Sequence, residues 1–425
     1  MKAEMKSVSL STKTSEQKQR YLWTISVIAI VVLDFLVFFQ AQGTGDIREH
    51  FIYWIDNVYQ YGLRQGFIEN ADMYPPLSTI LMYIGSRIFF MFENAQAIRG
   101  IDLIMLLVCG LWVIYKYDKP EYGFWLVVSC LLGVHLGFID ALVFPFLIIS
   151  FYFLQEEKYN LFAVFFTLCC CVKMQPLIIA PMLVCFFVTI SAKKPHVSMN
   201  IKRIFQMGIC VILTLIPFFL VYGVKAIVDC IKSGLDAPGF SDNALNFIWV
   251  VQYFLEKYFP ERTQPLADGL PGIYWTPHGI MYIFNYVFWG TFIALVIVTL
   301  FLKRKTPAII LKICIIEYTV YFLFKLAVHE NHLVLAMVLT GILLCLEDTV
   351  INRWIFIIYA IITNMNMYLF YGITGDVWFH TLSVGNIPNS VILASVNTIV
   401  LLGICIFLFV SILKEQNHSA TVAHV

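Results

Sequence analysis

The chain has 425 residues, 60% of them hydrophobic and 13% charged, with a formal net charge of +1 and a mean hydropathy of +0.81. No soluble domain of this length hides so much apolar surface in one core, so the composition indicates a polytopic membrane protein. With charges so nearly balanced, and no basic block interleaved with aromatics, a nucleic-acid partner is excluded.

A spanning helix needs about 20 apolar residues, fewer where neighbours cover its ends. The first apolar run, 21–39, follows a basic tail (Lys2, Lys6, Lys13, Lys18, Arg20) and has no small-residue cleavage site, which reads as an uncleaved helix and not a signal peptide. Further spans are expected at 101–115, 121–136, 141–154, 159–172, 176–191, 205–222, 279–302, 307–325, 331–346, 353–371 and 391–413, twelve in all. The fold class is therefore an all-α integral membrane protein. Ten of the eleven cysteines fall inside apolar runs and only Cys230 in a loop, a pattern with no disulfide framework and no zinc spacing.

The run 78–92 follows a Tyr-Pro-Pro break and reads either as a thirteenth span or as an interface helix. Taken as an interface helix, it makes the basic connections alternate cleanly. The tail 1–20, Lys116 and Lys119, 155–158, 193–203, 303–305 and Arg353 then share one side, which the positive-inside rule makes cytoplasmic. The other side receives loop 41–98, the turns at 135–140, 173–176 and 329–332, loop 223–278 and the segment 372–389. Long loops concentrate there, so function is expected there too. Between cytoplasmic tails 1–20 and 414–425, residues 21–413 read as a single domain.

Five constellations on that side carry chemistry. The first is the acidic stretch with Asp46, Glu49, Asp56, Glu69 and Asp72, closed by Tyr74-Pro75-Pro76. Phe51, Trp54, Ile55 and Val58 share one helical face, which predicts an amphipathic surface helix with Asp46 at its N-terminus, where the dipole favours a carboxylate. The pattern is met equally by a capping acid and by a catalytic one. The second and third are Asp140 in Gly137-Phe138-Ile139-Asp140, and Lys173-Met174-Gln175-Pro176, whose ammonium suits an anionic phosphate or snorkels to the headgroups. The fourth, His329-Glu330-Asn331-His332, lacks the HExxH spacing of zinc peptidases; no cofactor is expected, and the sequence leaves metal dependence open. Asn246 and Trp249 form the fifth. Nearby, Arg99 and Asp102 sit three apart as a helical ion pair would, and Asp34 and Glu317 are acids inside spans.

In this order, the acidic first loop, Tyr74-Pro75-Pro76-Leu77, Arg99-x-x-Asp102, Gly137-x-x-Asp140, Lys173-x-Gln175-Pro176, Asn246-x-x-Trp249 and His329-Glu330 resemble the GT-C superfamily of polytopic glycosyltransferases. The nearest likeness is to bacterial mannosyltransferase-like proteins related to the second mannosyltransferase of GPI-anchor synthesis, and to glucosyltransferases that use dolichyl-phosphate glucose. The likeness runs from the first helix to the tenth on few, short matches. Met73, Phe138, Ile139 and Asn331 depart from the pattern, which bears on donor identity.

The resemblance implies an inverting transfer of mannose or glucose from a polyprenyl-phosphate donor, taken from the membrane lipids, to a glycan or lipid-linked acceptor. Asp46 would be the general base, with Glu49 second. Lys173, His329 and Arg99 would hold the donor phosphate. Tyr74, Pro75, Pro76, Asp140, Gln175, Asn246, Trp249 and Glu330 would shape the loop or bind substrate. A transporter, flippase or polymerase of lipid-linked glycans is the competing class, and it expects charges along the bundle interior; a non-catalytic assembly partner in an envelope complex is a third. The sequence favours a bacterial plasma membrane with the active face outward over an endoplasmic-reticulum membrane, because no N-x-S/T sequon lies clearly in an outer loop.

Overall fold

The computed structural model describes residues 2–37, 43–70, 74–191, 196–235, 241, 243–260, 279–375, 383–384 and 387–422. Asp72, Met73 and the stretch 261–278 of the loop 223–278 lie outside them. The described chain is helical apart from two short antiparallel hairpins, β1 (Val188–Ser191) with β2 (His196–Met199) and β3 (Ser383–Val384) with β4 (Ile387–Pro388).

Its helices are α1 (Lys2–Val37), α2 (Ile52–Asn70), α3 (Pro76–Ile88), α4 (Asn94–Tyr115), α5 (Pro120–Leu136), α6 (Phe144–Gln155), α7 (Tyr159–Val172) and α8 (Ala180–Cys185). After the first hairpin come α9 (Ile201–Tyr222), α10 (Val224–Leu235), α11 (Phe247–Tyr258), α12 (Gly279–Phe301), α13 (Pro307–Phe324), α14 (Leu333–Leu346), α15 (Val350–Tyr371) and α16 (Asn389–Val422).

Among the described residues seven helical segments are long and apolar enough to cross a membrane: Ser15–Val37, Asn94–Tyr115, Ile201–Tyr222, Ile283–Phe301, Pro307–Phe324, Val350–Tyr371 and Asn389–Asn417. Five further apolar helices, such as Tyr159–Val172, are shorter. A 14-residue helix reaches only about 21 Å, short of the ~30 Å of hydrocarbon. Each of the twelve expected spans, several of them short, holds one of these helices, and seven of the twelve are of crossing length.

The clearest departure is 176–191, expected as one helix. Gln175–Ile179 is a 3-10 turn, α8 lasts six residues, and the chain then turns into β1. Two prolines, Pro176 and Pro181, each remove a backbone donor, and the β-branched run Val188-Thr189-Ile190 prefers an extended backbone. Loop 223–278 also holds α10 and α11, which places Cys230 in a helix, buried against Phe67 and Tyr222. The basic tail, expected outside the first helix, continues α1 back to Lys2.

Burial separates centre from rim. In Pro307–Phe324 83% of the crossing window is buried, against 6% in Ile201–Tyr222. A helix that is apolar all round belongs either in a core or against lipid; α13 and α14 take the core and α9 the rim. At one end of the bundle polar side chains tie the short connections together. Lys119 pairs with Asp348, Lys312 with Glu347 and Glu415, and Gln416 accepts from the backbone of Lys303 and Arg304. The opposite end carries α2, α3 and the turns bearing Asp140, Lys173 and His329.

Helix α3 is 13 residues long, with Pro75 as its N-cap and Pro76 at its first position. That length spans about 20 Å. It packs on α2 and α4.

Candidate functional site

Asp46 is the first residue of a π-helical turn, Asp46–Phe51, that leads directly into α2. Ile47 and Phe51 anchor the turn in the core, followed on the same face by Trp54, Ile55 and Val58, all buried as their spacing predicted. Asp46 itself is half-buried. The helix end has no side-chain cap, and the Asp46 carboxylate makes no hydrogen bond or ion pair with another described residue. Glu49, its neighbour one turn on, is exposed, as are Asp56 and Glu69, which bond Asn94 and Gln65 on the surface.

The strand leading into this turn is pinned on both sides. Gly43 N–H donates to Thr374 O at 3.0 Å and Thr44 N–H to Leu136 O at 2.9 Å. Beneath it, Gly137 ends α5 in the left-handed conformation at φ 82°, and a Cβ there would lie 2.7 Å from Ile47 Cδ1. Only glycine combines that backbone with that approach. The same reversal sends the chain into the 3-10 turn Ile139–Leu142 and so delivers Asp140.

Asp140 is the hub. Lys173 Nζ donates to its Oδ1 at 2.8 Å and Asn331 Nδ2 to its Oδ2 at 2.9 Å, with all three side chains buried. Lys173 reaches it from the extended residue that ends α7, just before Gln175-Pro176 opens the next turn. The ammonium also lies 5.5 Å from the centroid of the Tyr74 ring, a favourable cation–π distance. Tyr74 in turn packs on Phe51 and Trp54, at centroid distances of 5.7 and 5.4 Å.

Electrostatics draw the same group together. Burial opposes the charge on Lys173, but Asp140, Tyr74 and Asp46 outweigh it and hold the ammonium above the ordinary lysine value. Burial likewise pushes the Tyr74 phenol up to about 12; Lys173 opposes the rise, while Asp46, Asp140 and Glu330 add to it. Asp46, Tyr74, Asp140, Lys173 and Glu330 therefore occupy one neighbourhood.

The turn 329–332 closes the far wall. His332 meets the Gln175 amide at 2.8 Å through Nε2 and the Tyr321 hydroxyl at 3.0 Å through Nδ1, and His329 and His332 cap one another reciprocally. A backbone bridge joins His329 to Asn243. Asn366, fully buried on α15, clamps the two segments: Nδ2 donates to Glu330 O at 2.6 Å, and Oδ1 accepts from Leu245 N–H at 2.7 Å.

Three of the expected residues do structural work away from Asp46. Asn246 caps α11 by accepting from Trp249 N–H at 3.0 Å and donates to Phe322 O. Trp249 is buried, its ring 5.3 Å from that of Phe370. Arg99 lies behind the Gly43 strand, where its Nε donates to His135 O at 3.1 Å. The helical ion pair expected between Arg99 and Asp102 does not form: the guanidinium is drawn to the end of α5, and both Asp102 oxygens lack a hydrogen-bond partner among the described residues. Of the acids inside apolar helices, Asp34 pairs with His135, and Glu317 is buried with neither oxygen partnered among the described residues.

Sequence reasoning missed Asn331 as a ligand of Asp140, together with Asn366, Tyr321 and Tyr371. The available signal was a pair of asparagines, Asn364 and Asn366, in the second half of a mostly apolar helix, where an amide must find a partner. No protein-family model and no curated protein matches the sequence.

Proposed function

We propose that the chain is a hexosyltransferase of the GT-C type, moving mannose or glucose from a polyprenyl-phosphate-linked donor to an extracytoplasmic glycan or lipid-linked acceptor. The observation that carries this reading is Asp46, a half-buried carboxylate without a hydrogen-bond partner among the described residues, set beside a buried Lys173–Asp140 pair. Such a carboxylate is free to take a proton, and the neighbouring cation favours an anionic leaving group.

In the proposed reaction the acceptor hydroxyl gives its proton to Asp46 while its oxygen bonds to the anomeric carbon. The bond from that carbon to the phosphate oxygen breaks, and its electron pair leaves on the phosphate. No second acid is needed, because lipid phosphate is already a stable leaving group, and attack from the opposite face inverts the centre. Lys173 and His329 stand nearest to meet the phosphate, with Arg99 held back behind the strand. We place the site on the extracytoplasmic face and both termini in the cytoplasm, in a bacterial plasma membrane, on the charge pattern of the connections.

The test is transfer by protein reconstituted in nanodiscs, using polyprenyl-phosphate mannose and glucose and measuring released lipid phosphate. Asp46→Asn should abolish transfer and leave protein level and fold intact; turnover retained in that variant refutes the assignment.

A transporter or flippase of lipid-linked glycans is favoured by one observation, the buried acids Asp34, Asp102 and Glu317 within the bundle. That reading expects lipid-linked glycan to change leaflets in proteoliposomes without release of lipid phosphate.

A further inference from the structure

Where α3 runs into α4, Ile84, Ile88, Phe90 and Met91 are 41%, 54%, 75% and 80% exposed. A contiguous apolar patch of this kind marks a partner or a membrane, and its neighbours decide which. Phe89 and Phe92, on either side of the exposed pair, both pack on Phe35, with ring centroids 5.9 Å apart in each case. Phe35 lies within about 3 Å of helical rise from the end of the crossing segment Ser15–Val37. Just beyond Phe92, Asn94 opens the next crossing segment, Asn94–Tyr115. The patch is bracketed by the end of one crossing helix and the start of another, which sets it level with the hydrocarbon boundary. It is also continuous with the exposed apolar side chains Leu33, Leu36 and Val37 of α1.

The orientation of α3 is fixed from its other face. Gly85 packs so closely on α4 that a Cβ there would lie 2.8 Å from Ile101 Cβ, so Ile84 and Ile88, one turn apart, point away from the bundle. Arg87 shares their face. Its Nε and Nη2 donate to the Tyr83 hydroxyl at 3.1 and 2.9 Å, and its guanidinium carbon stands 4.5 Å from the centroid of the Tyr59 ring. Tyrosine and arginine, with apolar bodies and polar tips, are the side chains that settle at headgroup level.

We propose that residues 84–91 form a membrane foot, in which Ile84, Ile88, Phe90 and Met91 enter the acyl chains of the leaflet where α1 ends, and Arg87 meets the lipid phosphates there. The occupant is the phospholipid bilayer and not a second protein chain, because only 17% of the crossing window of α1 is buried and lipid already surrounds this neighbour. Insertion is shallow, as for a helix that rests at the boundary of headgroups and acyl chains. The foot rests on the membrane reading alone and is independent of sugar transfer. It nevertheless bears on the candidate site: α3 begins at Pro76, two residues after Tyr74. Seating one end of the helix in lipid therefore steadies the segment that lays Tyr74 against Lys173.

The test is fluorine NMR of the full chain in phosphatidylcholine nanodiscs, with trifluoromethyl-phenylalanine placed singly at Phe90, at Met91 and, on the crossing segment Ile283–Phe301, at Trp289. Three relaxation agents are compared: lipid spin-labelled near the top of its acyl chain, lipid spin-labelled at the chain end, and a soluble gadolinium chelate. The probes at Phe90 and Met91 should lose most of their intensity to the top-of-chain label and keep most of it with gadolinium. Loss to gadolinium at both positions, with Trp289 answering to lipid, overturns the foot and leaves the membrane reading standing; loss to gadolinium at all three overturns both. Greatest loss to the chain-end label would make 78–92 a full crossing and likewise overturn a shallow foot. Arg87→Gln should weaken the top-of-chain loss at Phe90, and an unchanged loss overturns the phosphate contact.

Discussion

Lys173→Met removes one partner of a buried ion pair and keeps the bulk of the aliphatic stem. Lys173 is 4% and Asp140 7% exposed, their contact is 2.8 Å, and once the ammonium is gone the Asp140 carboxylate retains only Asn331 among the described residues. Breaking such a pair from one side costs about 3–5 kcal/mol, because the remaining charge stays buried. Asp140→Asn should cost a similar amount by stranding the ammonium beneath Tyr74. The double variant carries neither charge and should recover most of the loss, giving a coupling of about 3 kcal/mol.

The assay is reversible unfolding of all four proteins in mixed micelles, followed by tryptophan fluorescence. The sign of the pH dependence is fixed. The Lys173 value is raised above 10.5, so the pair's contribution is complete below pH 10.5 and is lost only as pH climbs through the folded-state value. The gap between wild type and Lys173→Met should therefore be constant from about pH 6 to 9. Single variants within about 1 kcal/mol of wild type, or a double variant as unstable as the sum of its parts, would refute the assignment of Lys173 and Asp140 as a mutually dependent pair.

Gly137→Ala should destabilise by about 1–3 kcal/mol through its left-handed backbone and its crowding of Ile47. Adding Ile47→Ala should not restore the backbone part, so full recovery in the same unfolding assay would locate the cost wholly in the clash. Tyr74→Phe keeps the ring against Phe51, Trp54 and Lys173 and deletes only the hydroxyl. Because the phenol's folded value is raised from 10.0 to about 12, its contribution is complete below pH 10 and declines above it. The melting-temperature difference between Tyr74→Phe and wild type should be flat from about pH 5 to 9, and a slope there would contradict the burial of that hydroxyl.

Local patterns were the legible part of this chain. The apolar runs announced their helices. The spacing of Phe51, Trp54, Ile55 and Val58 announced the buried face of the first outer segment, and the positions of Asp140, Lys173 and His329 between runs announced a shared end. What the sequence could not supply was pairing. Nothing in Lys173-x-Gln175-Pro176 says that its lysine spends a hydrogen bond on Asp140, 33 residues earlier, or that Gln175 meets His332 across 157 residues. Arg99 and Asp102 show the same limit: three-residue spacing permits an ion pair, yet Arg99 Nε donates to His135 O while both Nη atoms and both Asp102 oxygens stay without a hydrogen-bond partner among the described residues. Helix length, by contrast, is legible locally: the short apolar run 159–172 is the 14-residue helix Tyr159–Val172.

Pairing also changes the chemistry expected of the site. On the proposed reading a donor phosphate enters a neighbourhood whose principal cation is already committed to Asp140. An ammonium has three donors. One goes to Asp140, and the cation also rests against the Tyr74 ring, which leaves a direction for a phosphate oxygen without displacing the carboxylate. The phosphate would then add to the Lys173–Asp140 pair and would not replace it.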